Sequence, residues 1–171
     1  MNTDISDAMA QGPREIVVGI DEGPAAAAAL RWAAEQARIT GRPLRVVHAW
    51  QLSSFEQAAG STQYVEAALT DARARATSWV LDALGDNASQ VRWSLDIVEG
   101  GPGPALVERS RDAHLLALGT HEHTGFRRIL GSVSHYCLSH AVAPVVAVPP
   151  PREAPHKVEA DSGMLSVGPL L

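Results

Sequence analysis

The chain has 171 residues, 46% of them apolar, with a formal charge of −5 and a pI near 5.8. That suffices for one domain with a substantial core, and the scattered, outnumbered basic residues leave no electrostatic footprint for nucleic acid or an anionic membrane. The single cysteine, Cys137, excludes an internal disulfide. The polar opening Met1-Asn2-Thr3-Asp4 is no secretory leader, and no apolar run reaches the about 20 residues of a spanning helix, so a reducing, cytoplasmic setting is expected.

Residues 1–13 lack periodicity and read as a tail. The apolar run Glu15-Ile16-Val17-Val18-Gly19-Ile20-Asp21 predicts a first strand buried on both faces. Gly23-Pro24 opens a helix whose stripe of Ala26, Leu30, Ala33, Ala34 and Ala37 has helical spacing, and Gly41 and Pro43 stop it. Leu44 to Trp50 is strand two, and a long polar connection from Gln51 to Gln63 follows. The next helix is expected to bury Val65, Ala68, Leu69, Ala72, Ala76, Trp79, Val80 and Ala83, leaving Asp71, Arg73 and Arg75 in water.

Val91, Trp93, Leu95 and Ile97 alternate with polar residues, which predicts an edge strand. A Gly-Pro loop from Gly100 to Pro104 leads to a short helix presenting Ala105, Leu106 and Ser110. Strand four is Leu115–Leu118, helix four is Val133–His140, and strand five runs from Pro144 to Val148. Residues 151–171 are proline-rich and polar and read as a second tail, leaving 14–150 as the domain. The βαβαβαβαβ pattern predicts a mostly parallel sheet with helices on both faces.

Ligands of such sheets bind beyond the carboxyl ends of the strands, where strand order reverses. Asp21, at the tip of strand one, and Gly119, at the tip of strand four, are expected to flank that crevice. Between Gly119 and Ser134, a glycine-bearing loop and a Gly131-Ser132 step into a helix supply free N–H groups and a positive dipole end for an anion. Asp21 has an alternative reading as the N-cap of helix one. His121, His123, His135 and His140 lack a cysteine pair or an HExxH helix beside them, so no metal site is expected. His48 reads as a hydrogen-bonded core histidine, Cys137 as a buried small hydrophobe, and Trp50 as the tryptophan near enough to stack on a base.

The segments Val18-Gly19-Ile20-Asp21, Val46-Val47-His48-Ala49, Val98-Glu99-Gly100, Leu118-Gly119-Thr120, Gly131-Ser132-Val133-Ser134 and Pro144-Val145-Val146-Ala147-Val148 occur in an order that resembles the universal stress protein family, over Arg14 to Val148. The resemblance implies a single-domain, three-layer α/β sandwich with a five-stranded parallel sheet ordered 3-2-1-4-5, of the Rossmann-like, adenine nucleotide alpha hydrolase-like type. It also implies an adenine nucleotide as ligand: ATP, AMP or cAMP, with or without Mg. The adenine end would lie on Gly19, Ile20, Asp21 and Ala49. The ribose and phosphates would lie on Gly119, Thr120 and Gly131, Ser132, Val133 and Ser134. It implies a dimer as well, and strand five, with Val145, Val146 and Val148 at an expected sheet edge, is where a second copy would cover it.

One departure bears on the ligand. The ATP-binding pattern is similar to G-x2-G-x9-G-[ST], whereas this chain has Glu122 at the second glycine and one residue fewer before Gly131-Ser132. A carboxylate there repels phosphate and resists a positive φ, while Gly125 offers permissive backbone and Arg127 and Arg128 offer guanidinium forks. Two readings follow: a nucleotide-binding regulatory protein, and an interaction protein of the same fold that holds no nucleotide. Asp21-Glu22-Gly23-Pro24 carries neither an HxGH-like nor an SGGxDS-like motif, so no chemistry beyond slow ATP hydrolysis is expected. The signalling partner is not legible.

Overall fold

The computed structural model describes residues 14–52, 62–120 and 131–151. In chain order these form β1 (Ile16–Gly19), α1 (Pro24–Thr40), β2 (Leu44–Trp50), α2 (Thr62–Leu84) with a 3₁₀ extension (Gly85–Gln90), β3 (Trp93–Glu99), α3 (Pro102–Arg109), β4 (Leu115–Gly119), α4 (Ser132–His140) and β5 (Val145–Val148). The strands make one parallel sheet in the order β3-β2-β1-β4-β5, with Val18 between Val46 and Ala117 at its centre. β3 and β5 are the edges, as their alternation and position in the sequence predict.

Side chains alternate across each strand, so the central strands feed two cores. Ile16, Val18, Leu44 and Val46 point to one face, where Ala29, Leu30, Ala33 and Ala37 of α1 and Ala76 and Val80 of α2 cover them. Val17, Val47, Leu116 and Leu118 point to the other, against Leu106 of α3 and Cys137 of α4. The alanine stripe of α1 brings its backbone close to the sheet. Each fully buried leucine or valine contributes roughly 1.5–3 kcal/mol of transfer free energy.

Local signals set the ends of α1. Pro24 occupies its first position, Gly23 is the N-cap, and Gly41 closes it in the left-handed conformation (φ 65°) with its N–H donating to the Ala37 carbonyl. The αL geometry explains the glycine there, because a Cβ would be strained at that φ. Asp21 is therefore not the N-cap.

α2 departs from its predicted stripe. Only Ala72, Ala76, Val80 and Leu84 are buried, while Val65, Ala68 and Leu69 are half-buried and Tyr64 is 58% exposed. Burial is confined to Ala72 and beyond, where Ala76, Val80 and Leu84 join the core formed with α1 and the sheet. Asp71, Arg73 and Arg75 are exposed as expected, with Arg75 paired to Asp71. Among the described residues no helix is long and apolar enough to cross a membrane. The predicted tails, 1–13 and almost all of 151–171, lie outside the described residues, as does most of the connection after Gln51.

Candidate functional site

Strand order reverses between β1 and β4, and a cleft of about 320 Å³ opens at that point beyond the strand tips. Gly19, Ile20 and Asp21 bring the β1 tip to it, Val47, His48 and Ala49 the β2 tip, Leu118 and Gly119 the β4 tip, and Gly131 to Ser134 the start of α4. Pro102 and Leu106 of α3 and Ala26 of α1 complete the wall. The size is that of a small-ligand site.

Among the described lining residues Asp21 is the one charged group. Its Oδ1 accepts a hydrogen bond from the Gly23 N–H at 2.7 Å, which fixes the turn into α1. Its other oxygen takes no hydrogen bond from a described residue and can accept one from a ligand. Across the cleft, no side chain among the described residues caps α4 and Gly131 is extended (φ −60°, ψ 163°), so the first-turn N–H groups can meet an anion. Carboxylate on one wall and helix N-terminus on the other give the cleft a polar axis between apolar sides.

The two strand-tip glycines are needed for space rather than for φ. A Cβ on Gly119 would lie 2.4 Å from the Ala25 carbonyl carbon and 2.6 Å from the Ala26 nitrogen, because the first turn of α1 crosses over the tip of β4. A Cβ on Gly19 would lie 2.9 Å from Leu106 Cδ1. Neither glycine has a positive φ. Ser134, 4% exposed, donates through Oγ to the Gly119 carbonyl at 3.3 Å and pins α4 to the same tip. Ser132 is exposed at the mouth.

Some predicted residues are placed elsewhere. Thr120 is not on the cleft wall; its N–H and its hydroxyl both donate to the Val148 carbonyl, at 2.9 and 3.4 Å, and tie β4 to β5. Trp50 does not line the cleft either, which corrects its stacking role; its carbonyl accepts from Gly100 at the β3 edge. Gly125, Arg127, Arg128, Glu122, His121 and His123 lie outside the described residues.

His48 behaves as a structural histidine. Strand alternation turns its ring away from the cleft, edge-on to Trp79 of α2 at 5.2 Å between centroids, with Nδ1 3.1 Å from the Ile20 carbonyl. It donates there and holds the β1 and β2 tips together, while the strand around it borders the cleft. Cys137 is fully buried, its Sγ 3.9 Å from the Gly103 carbonyl, and burial pushes the thiol up to about 11. Such a thiol is not a nucleophile at neutral pH. No group of three or more metal-binding side chains occurs among the described residues.

Sequence reading missed Ala26, Pro102, Leu106 and Leu118 as cleft residues. Their only local signal is an apolar stripe or a loop proline. They meet because non-adjacent elements converge.

The fold and its crevice define an open, doubly wound α/β protein with a ligand-sized cleft at the topological switch point. The chain belongs to the universal stress protein family, whose family model matches residues 13–149. A universal stress protein of Mycobacterium tuberculosis is 35% identical over 175 aligned positions, covering 88% of this chain and 55% of the relative. The chain thus spans about half the length of the curated relatives it matches. Among solved structures, a universal stress protein from Archaeoglobus fulgidus superposes with a TM-score of 0.58 at 25% identity, covering 79% of this chain and 98% of that one. An Archaeoglobus fulgidus universal stress protein in complex with dAMP gives 0.52 at 22% identity, covering 79% and 97%. A universal stress protein in complex with cAMP gives 0.50 at 22%, covering 82% and 100%.

Proposed function

We propose that the cleft binds an adenine nucleotide and that the chain acts as a dimeric, cytoplasmic regulatory protein of the stress response. One observation carries this reading: the uncapped start of α4 faces the half-free Asp21 carboxylate across a cleft of about 320 Å³ at the switch point of the sheet. The polar axis suits a ligand with an N–H or O–H donor at one end and an anion at the other. Family members solved with dAMP and with cAMP support an adenine nucleotide as the class.

In this assignment Gly19, Ile20, Asp21 and Ala49 hold the base, and Gly119 with Gly131, Ser132, Val133 and Ser134 holds the ribose and phosphate. Thr120 fixes the β4 tip through Val148. Gly125, Arg127 and Arg128 would supply further phosphate contacts. ATP, AMP and cAMP all meet the same main-chain donors, with or without Mg. The dimer would form on β5, an open edge beside the 77% exposed Val142, through Val145, Val146 and Val148.

The test is release of ligand from freshly purified full-length chain by heat, followed by anion exchange and by calorimetric titration with ATP, AMP and cAMP. We expect at least one to bind, and Asp21→Ala to weaken it about tenfold, or roughly 1.4 kcal/mol. No released nucleotide, no heat and no thermal shift with any of the three overturns the reading. That result would favour an interaction protein without nucleotide, which Glu122 and the shortened Gly119-to-Gly131 spacing motivate. A monomeric mass in sedimentation at micromolar concentration would reject the β5 dimer.

A further inference from the structure

We propose that the opposite end of the sheet carries a second ligand site, for a small multiply charged oxyanion of the phosphate or pyrophosphate type, built by Arg42 and Arg92 with Arg38 at its rim. The site lies where β2 and β3 begin, at the far end of the strands from the cleft, and does not rest on the nucleotide reading. A pocket of about 240 Å³ is lined there by Arg38, Gly41, Arg42, Gln90 and Arg92 together with Ala37 and Val91, and no carboxylate lines it.

The fold brings these arginines together from separate segments. Leu44 pairs with Trp93 in the sheet, and the Leu44 N–H donates to the Arg92 carbonyl at 3.0 Å, so the residues entering β2 and β3 sit side by side. Gly41 turns the chain out of α1, the Arg42 N–H donates to the Ala37 carbonyl, and space is open around the Gly41 Cα. Arg42 Nη1 donates to the Arg14 carbonyl at 2.9 Å, which holds its guanidinium in place without neutralising it.

Charge balance within the pocket leans positive. Arg45, Arg75, Arg109 and Arg111 each pair with a carboxylate, and Arg38 is held bidentately by Glu35. Arg42 and Arg92 make no ion pair with any described carboxylate; Arg14, Arg31 and Arg73 make none either, but those three do not line this pocket. The negative end of α1 favours a cation at Arg42, but Arg92 is on no helix and gains nothing from it. An anion there supplies the counter-charge that no described carboxylate gives, and planar guanidinium forks match phosphoryl oxygens.

Inorganic pyrophosphate titrated into the full-length chain at low ionic strength, followed by ¹H–¹⁵N NMR of backbone and arginine Nε groups, tests this. We expect shifts at Gly41, Arg42 and Arg92, affinity that falls as NaCl is added, and binding weakened at least tenfold in Arg42→Gln/Arg92→Gln but unchanged in Asp21→Asn. Arg92→Gln alone, at an exposed side chain without a described partner, keeps the test valid should the double variant unfold; it should weaken binding severalfold. Shifts confined to the α4 N-terminus, or undiminished affinity in these variants, overturns the proposal; the first places the anion in the cleft instead, and the second leaves the nucleotide reading untouched.

Discussion

The two faces of the sheet are covered by unequal pairs of helices. α1 and α2 run 17 and 23 residues, whereas α3 and α4 run 8 and 9. At about 1.5 Å per residue the first pair spans roughly 25 and 35 Å, longer than any strand, and the second only about 12 to 14 Å. The long pair seals its face over Ile16, Val18, Leu44 and Val46. The short pair covers Val17, Val47 and Leu116, and its first turns form part of the wall of the cleft between the β1 and β4 tips. One face therefore encloses the larger core, and the other lends its helix starts to the cleft.

Substitutions on each face test that division. The largest effect is expected from Leu30→Ala, at 1% exposure in the larger core, which should cost about 3 kcal/mol in denaturant unfolding without altering ligand affinity of the folded protein. Gly119→Ala should cost about 2 kcal/mol, because the new methyl meets the α1 backbone, which cannot rotate away. It should also weaken nucleotide binding, since a shift of that first turn moves Asp21. The division fails if Leu30→Ala changes affinity while Gly119→Ala changes stability alone.

A smaller effect should appear at alkaline pH. The Cys137 thiol is pushed up to about 11 in the folded protein by burial, above its unfolded value near ~8.5. The unfolded state therefore loses its proton first, and stability should fall by about 1 kcal/mol or more between pH 8 and pH 10. Cys137→Ala should remove that slope, and a thiol reagent should react with the native protein only on unfolding. The smallest effect belongs to the exposed surface of α1. The hydrogen bond from Arg38 holds the Glu35 carboxyl below the usual carboxylate range, so its contribution is complete above the unfolded pKa of ~4.3 and lost as pH falls through the folded value. Unfolding curves of Glu35→Gln and the parent protein should converge in acid and differ little at pH 7.

Much of the site is legible because its parts carry local signals. A β-run ending at Asp21, a glycine ending β4, and Gly131-Ser132 opening a helix are each read from a few residues, and the alternating pattern puts all three at strand tips. Thr120 and Trp50 each lie near a tip in sequence, while adjacency to the cleft depends on which way alternation and hydrogen bonding turn the residue. The buried stripe of α2 is shorter than its periodicity predicts for a related reason. Periodicity reports an apolar face but not whether a sheet lies beneath it.

Length, composition and pattern by themselves determined the alternation of strands and helices, the edge character of β3, the caps of α1 and the burial of Cys137, since each follows from neighbours a few residues away. Only the tertiary structure decided that Gly119 yields its space to the α1 backbone, that Ser134 pins α4 to the same tip, that His48 clasps the Ile20 carbonyl, and that Arg42 and Arg92 meet at the far end. Those contacts join residues that chain-local periodicity never relates. They exist because strand order 3-2-1-4-5 folds distant segments onto shared tips.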